Sequence, residues 1–280
     1  MKKFTLFFLF FSTFAVAQTH RFIYEYQFKA DSTAEKPAKQ NMALDINPEE
    51  VKFYNYQYVI VDSLNKTRGE SSMMWDEETP AVFRKKNSDK NVAYIMMDNL
   101  FVMETDDKIN WNLSKETKAL GNYTLQKATA KFGGRNWTAW FNKEVNLSEG
   151  PYKFRGLPGL IFEISDDKNQ HHFVLAKSYK LDKTFDTSAI VENFMGQKPI
   201  KINEKTYRKM KLESYDNPLR DFKKQFAENT NTENTFWVMG VQVKSADQFK
   251  DLTEMSQKRM LKDNNPIELD KAIRYPVLKK

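Results

Sequence analysis

The sharpest constraint in this chain is a pair of extended runs between Tyr123 and Phe141 that meet at Gly133-Gly134. A two-residue hairpin turn of the primed kind needs positive φ at both central positions, which glycine adopts without steric cost. Such a turn sets the register around it, because side chains on a strand alternate with a period of two. Phe132 then faces Arg135, Ala130 faces Trp137, and Ala128 faces Ala139, an apolar face that pairs small with large. The other face sets Lys131 against Asn136, Thr129 against Thr138 and Lys127 against Trp140. Trp137 is thus predicted in the core, and Trp140 on the more polar side under Lys127 as a cation–π pair.

The same alternation recurs along the chain. Arg21 to Lys29 puts Phe22, Tyr24, Tyr26 and Phe28 on one face of a strand. Met42–Ile46 and Val51–Val61 read alike, the latter with Tyr54, Tyr56, Tyr58 and Ile60 in step. Shorter strands are predicted at Ala81–Lys85, Val92–Met97 and Leu100–Thr105. A second hairpin joins Leu160–Ser165 to Gln170–Ser178 around the polar turn Asp166-Asp167-Lys168-Asn169, which sets Phe162 opposite Phe173 and Glu163 opposite His172. Beyond Leu181 the pattern changes, with an irregular connection over 181–202. Helices are predicted over Asn203–Glu213, over Asn217–Glu228 with Asn217 as N-cap and Pro218 first in the helix, and over Ala246–Lys262 with Ser245 as cap. The last carries an apolar stripe of Phe249, Leu252, Met255, Met260 and Leu261. With 22 Phe, 12 Tyr and 5 Trp favouring sheet, the expected fold is mainly β (α+β). It is a large curved antiparallel sheet or partial barrel with C-terminal helices from about residue 203, in a single domain over 18–280.

The first 17 residues have another purpose. Lys2 and Lys3 precede the apolar run Phe4 to Phe14, and Ala15-Val16-Ala17 follows as a cleavage site, the pattern of a secretory signal peptide. The run is too short to span a bilayer, which takes about 20 residues. The mature chain is expected to begin at Gln18 in the periplasm or outside the cell, without a transmembrane anchor. The chain has no cysteine, which excludes a lipid attachment, a disulfide framework, a thiolate zinc site and a cysteine nucleophile. The formal net charge of +7 falls to +5 without Lys2 and Lys3. Acidic and basic residues are interleaved, so no nucleic-acid stripe is expected.

Between the two hairpins lies Gly156-Leu157-Pro158-Gly159-Leu160-Ile161. Its centre reads as a type II turn, with Pro158 setting φ and Gly159 taking positive φ, and the hexapeptide as a structural motif. GLPGLI here resembles the GLPGLI family of secreted Bacteroidetes-type proteins. Lys127-Ala128, Gly134-Arg135, Trp137-x-x-Trp140-Phe141 and Gly150-Pro151 arrive in the order and spacing of that family, and Asn265-Pro266-Ile267-Glu268-Leu269 resembles its C-terminal signature. The family is uncharacterised, so the resemblance implies no activity, cofactor or catalytic residue. A fainter similarity, carried by no single motif, is to a bowl-shaped accessory domain attached to a secreted peptide-N-glycosidase.

Chemical candidates are few. His171 and His172 are adjacent on a strand and point to opposite faces, so they do not share one ion. Glu163 and His172 read as a cross-strand ion pair before an acid–base pair. No nucleophile elbow, phosphate loop, dinucleotide fingerprint or H-E-x-x-H motif occurs, so no cofactor, metal or catalytic residue is assigned. Arg135, Trp140, Tyr152 and Arg155 cluster around the motif as binding candidates, rings and guanidinium donors suited to a glycan or peptide. The competing reading makes the rings core and has the arginines satisfy turn carbonyls. Met73, Met74, Met96, Met97 and Met103 could offer thioethers to copper(I), against the ordinary use of methionine as gap filler. Cleavage before Gln18-Thr19-His20 would leave a short match to a four-nitrogen copper(II) site. The expected function is an exported, non-catalytic binding or structural envelope protein, with a glycan, a peptide or an outer-membrane protein as partner. The alternative is a secreted hydrolase of glycan or peptide, or its accessory domain, using Glu163 or Glu144 as acid.

Overall fold

The computed structural model describes residues 18–228 and 235–277 of the 280; the expected signal peptide at 1–17 lies outside the described residues. The strands are β1 (Thr19–Phe28), β2 (Ala38–Ile46), β3 (Glu50–Asn55), β4 (Ala81–Lys85), β5 (Lys90–Met96), β6 (Leu100–Asp106), β7 (Asn112–Leu120), β8 (Tyr123–Phe132), β9 (Arg135–Asn142), β10 (Leu160–Asp166), β11 (His171–Leu181) and β12 (Ile200–Ile202). They form one twelve-stranded sheet in the order β12-β6-β5-β4-β3-β2-β1-β11-β10-β9-β8-β7. Among the described residues its two ends do not pair, so the sheet does not close into a barrel. Every neighbouring pair is antiparallel except β12 with β6, which makes the sheet mixed rather than antiparallel throughout. The helices are α1 (Gln57–Arg68), α2 (Glu204–Asp216), α3 (Arg220–Glu228) and α4 (Gln248–Lys262), and a small hairpin of β13 (Phe236–Val238) and β14 (Val241–Val243) lies among the last two. Among the described residues no helix is long and apolar enough to cross a membrane.

The central position of β1 decides the core. Phe22, Tyr24, Tyr26 and Phe28 enter the main cluster with Leu44, Phe53, Trp137, Phe141 and Phe173. Tyr26 lies flat on Phe173, centroids 4.1 Å apart. Ile23 on the opposite face joins Ala43, Tyr54 and Phe83 under Tyr58 and Val59 of α1. A strand covered on both faces loses simple alternation of burial, which is why both Phe22 and Ile23 are buried. A third cluster, Leu219, Val238, Val243, Phe249 and Leu252, holds the C-terminal helices together.

The first hairpin takes the predicted register at every pair from Lys127↔Trp140 to Phe132↔Arg135, with Gly133 and Gly134 at φ 60° and 75°. Trp137 is buried, and Trp140 is half-buried on the other face. The cation over Trp140 is Lys118 of β7, 4.6 Å from the ring centroid, while Lys127 pairs with Glu116. The second hairpin is displaced by two residues, pairing Glu163 with Val174, Ile164 with Phe173 and Ser165 with His172. The cause is Asp166. It belongs to the strand, and its Oδ1 accepts the amides of Gln170 and His171 at 2.7 and 2.8 Å, which moves the loop to 167–170.

Other expectations fail for local reasons. The extended run from Val51 ends at Asn55, whose Oδ1 accepts the Gln57 amide and starts α1. The in-step rings Tyr54, Tyr56 and Tyr58 therefore straddle a strand end and a helix start. Strand β7 has no signal in the sequence, because an exposed polar edge carries no apolar alternation. The helix predicted over Asn203–Glu213 forms, and Asn203 caps it by accepting the Thr206 amide. Asn217 closes α2 instead of opening α3. The first turn of α4 uses Gln248, whose Oε1 accepts the Lys244 and Ser245 amides, and Met255 faces solvent, outside the stripe. Thr19 and His20 pair within the sheet with Leu181 and Lys180, which ties up the backbone that a copper(II) site at Gln18 would have to deprotonate.

The turn at Gly159 is tighter than type II. The Gly159 amide donates to the Leu157 carbonyl at 2.8 Å across Pro158, and φ of Gly159 is 148°. A Cβ there would overlap the carbonyl oxygen of Asn142. Gly159→Val is expected to destabilise the fold by at least about 1 kcal/mol from the backbone alone, and by more through Asn142. Urea denaturation reads this directly, and an unchanged midpoint would remove the structural role of the turn.

Candidate functional site

The segment Gly150 to Leu157 lies across the main core face, with Tyr152 6.4 Å from Phe53 and Phe154 4.5 Å from Trp137 between ring centroids. The C-terminal segment 263–275 then crosses the Gly133-Gly134 turn. The Asp270 amide donates to the Gly133 carbonyl at 3.3 Å. A Cβ on Gly133 would come within 2.8 Å of the Glu268 Cα, so the turn glycines also make the seat for this strap.

Arg135 fastens it. Its Nε donates to the Ile267 carbonyl at 3.0 Å, Nη1 to Asp166 and Gln170 at 3.0 Å each, and Nη2 to Asn265 Oδ1 at 2.6 Å and the Pro266 carbonyl at 2.8 Å. A guanidinium has five N–H groups, and all are used. Asn265 Nδ2 reaches back to the Lys29 carbonyl at 2.6 Å. His171 stands beside the knot. A carbonyl only accepts, so its Nε2 carries the proton donated to the Asn265 carbonyl at 3.1 Å, and Nδ1 accepts from the Tyr26 hydroxyl at 2.7 Å. Burial, and then Arg135, lower the His171 pKa to about 4. Glu268 receives the Tyr152 hydroxyl at 2.6 Å and Lys153 Nζ at 2.7 Å, and also pairs with Lys271. Burial alone would push its carboxyl up, but Lys153 and Lys271 hold it below the usual carboxylate range.

Between this strap, α2, α4 and the sheet lies a cavity of about 520 Å³. Its inner surface is buried and mixed, with Tyr26, Phe28, Ala93, Met103 and Ile267 beside Lys153, His171 and Glu268. Its mouth carries Asp76, Glu77, Glu78, Lys211 and the ion pair of Arg259 with Asp263. Burial pushes the Lys211 ammonium down, with Glu77 opposing. Desolvation and then Asp76 push the exposed Glu78 carboxyl up. Among the described residues no three His, Asp or Glu side chains are grouped to hold a metal ion.

The sequence-level candidates do not form one site. Arg135 and Tyr152 come together under the strap, both buried, with their polar atoms turned to Asn265, Glu268 and their neighbours. Trp140 is on the other face near Glu163, which accepts from His172 Nε2 at 3.1 Å and contacts Lys118. These bonds, that of His172 first, bring the Glu163 pKa down to about 2, which removes it as a proton donor near neutrality. Glu144 is exposed on the segment after β9. Arg155 pairs with Asp89, and its carbonyl accepts the Trp111 indole N–H at 2.8 Å. Leu157, Leu160 and Ile161 of the hexapeptide are buried, and the Tyr24 hydroxyl donates to the Ile161 carbonyl at 2.6 Å. The acidic mouth and Lys211 had no signal beyond a charged loop and a helix face. Asn265 and Glu268 stood in a recognisable pentapeptide, but without a partner.

The fold and site define a β-sheet protein with a helix-capped cavity. Residues 133–163, from the first hairpin turn to Glu163, match a family described as a protein of unknown function (Porph_ging). That stretch contains the hexapeptide, Arg135, Trp140, Tyr152 and Arg155. No curated protein matches the chain. Among solved structures, PNGF-II in its C2 and P21 crystal forms is similar with a TM-score of 0.49 and 15% identity, over 69% of this chain and 32% and 33% of that one. This chain thus spans about a third of the length of that protein.

Replacing Arg135 with Ala would leave Asp166 buried without its partner. The expected loss is about 3–5 kcal/mol, with protease cleavage appearing in the 263–275 strap, and a loss under about 1 kcal/mol would contradict the knot. The His171 shift has a definite sign. The unfolded chain takes up the proton near pH 6.5 and the folded chain near 4, so this contribution is complete above about pH 6.5 and falls as pH drops toward 4. It amounts to roughly 3 kcal/mol. Denaturant midpoints at pH 7 and pH 4.5 should differ less in His171→Gln than in the unsubstituted protein.

Proposed function

We propose that this chain is an exported, non-catalytic binding protein of the GLPGLI type, and that its ligand is a peptide segment held in the cavity between the sheet and the C-terminal helices. The observation that carries this reading is an interior whose apolar side chains lie beside Lys153, His171 and Glu268, already bonded within the protein, below a mouth rich in acidic groups. The interior can take one or two apolar side chains, since burial of apolar area supplies about 25 cal/mol per Å². Asp76, Glu77 and Glu78 at the mouth favour a neighbouring Lys or Arg on the ligand. A peptide fits this better than a glycan, because acidic groups at the mouth attract the Lys or Arg of a peptide and gain nothing from an uncharged sugar.

The charged groups deep in the cavity argue against hydrolysis. A glycosidase needs two carboxyl groups across the scissile bond, one with a raised pKa. Glu268 is held ionised by Lys153 and Lys271. Glu78 is the one raised carboxyl at this mouth, and it is the acid to test for the hydrolase alternative. Location outside the cytoplasm accords with the basic and apolar N-terminus and the absence of cysteine.

Ala93 offers a clean test, because a larger side chain there grows into the cavity. Fluorescence anisotropy with a library of labelled decapeptides should find binders enriched in an apolar residue beside Lys or Arg. Ala93→Leu should weaken them at least tenfold, and Glu77→Lys with Glu78→Lys should weaken them further at low salt. Binding indifferent to Ala93→Leu would refute the cavity as the site. Turnover of peptide or glycan that disappears in Glu78→Gln would establish the hydrolase instead.

A further inference from the structure

A second, smaller cavity of about 130 Å³ opens between α1, the segment at 72–74, the β5–β6 turn and residues 189–195. Four of the 12 methionines of the chain line it: Met73, Met74, Met96 and Met195. They come from three separate parts of the sequence. Three belong to the five that sequence alone offered as thioethers, while Met195 had no signal. Methionine is ordinarily a gap filler in cores. Here Met73 is 50% and Met195 69% exposed, so packing does not account for them.

Met195 is also placed against its backbone preference. It takes φ 50° in the tight turn Phe194-Met195-Gly196-Gln197, closed by amide–carbonyl bonds of 3.0 and 2.9 Å between Phe194 and Gln197. That position favours Asn, Asp or Gly, and a methionine there is strained. The turn brings Met195 into the lining of the cavity. Trp75, beside Met74, is 46% exposed and stands edge-on to Phe194 at 6.2 Å. Asp62 shares the lining but is paired with Lys66 at 2.7 Å, so the sulfurs are not joined by a free carboxylate.

We infer that this cavity is a thioether site for a soft monovalent cation, copper(I). Neutral sulfur ligands select copper(I) over hard or borderline divalent ions. Binding needs no electron transfer, and the ion enters and leaves as copper(I). The inference is independent of the peptide-binding reading, because it rests on another cavity and other residues.

Silver(I), a redox-stable surrogate, and copper(I) under anaerobic ascorbate should each bind at one per chain in competition with a chromophoric chelator. Trp75 fluorescence should quench on binding. With carbon-13 methyl-labelled methionine, the methyl signals of Met73, Met74, Met96 and Met195 should move and the others stay. The triple variant Met73→Leu, Met74→Leu, Met195→Leu keeps the apolar surface and removes three sulfurs. It should lose at least tenfold in affinity with an unchanged melting temperature. Equal affinity in this variant, binding below one ion per chain, or shifts confined to other methionines would each overturn the inference.

Discussion

The Arg135 guanidinium, with all five of its N–H groups bonded, is the interaction on which the rest of the site depends. It joins the start of one hairpin, the turn of the next and a strap more than a hundred residues later. Taking a cation out of water is costly, and a buried pair stabilises little unless every remaining donor finds an acceptor. Asp166 supplies the counter-charge, and four neutral oxygens complete the shell. Specificity follows from geometry: a planar fork with five fixed directions admits few arrangements of acceptors. The strap is therefore held in one position, the histidine beside it in one tautomer, and the roof of the large cavity at one height.

The parts that were legible in the sequence are those governed by local chemistry. Gly133-Gly134 dictated a turn type, and the turn dictated the six residue pairs that flank it. The helix beginning near Asn203 was likewise readable from its local pattern. Where a competing side chain intervenes, the local rule fails. Asp166 captures two amides and moves the second hairpin by two residues, and Asn55 converts an apparent eleven-residue strand into a strand and a helix. The aromatic alternation from Tyr54 to Ile60 matched a strand period over a stretch too short to exclude a helix. The polar edge β7 lacked any apolar pattern to read.

The site was less legible because its contacts are long-range. Arg135 meets Ile267 at a separation of 132 residues, and Tyr152 meets Glu268 at 116. No periodicity encodes such a partner. The pentapeptide beginning at Asn265 stood out as a pattern, yet its function as the acceptor set of one arginine is visible only in three dimensions. The same holds for the carboxylates. Glu163 and Glu268 are both fixed as anions by nearby cations, so their suitability for acid catalysis is decided by neighbours that sequence spacing does not reveal.

The central placement of β1 has a consequence for how the chain becomes this molecule. Its neighbours are β2, which follows directly, and β11, which arrives some 140 residues later. As the chain emerges N-terminus first, β1 to β6 can assemble while one long edge of β1 waits, bearing Phe22, Tyr24 and Tyr26 beside unpaired backbone. Contacts of such separation slow folding, and an open apolar edge recruits other chains. The two halves of the sheet meet only when β11 closes that seam, so the interval before residue 181 arrives is when the nascent chain most needs a holdase or an unfolded passage.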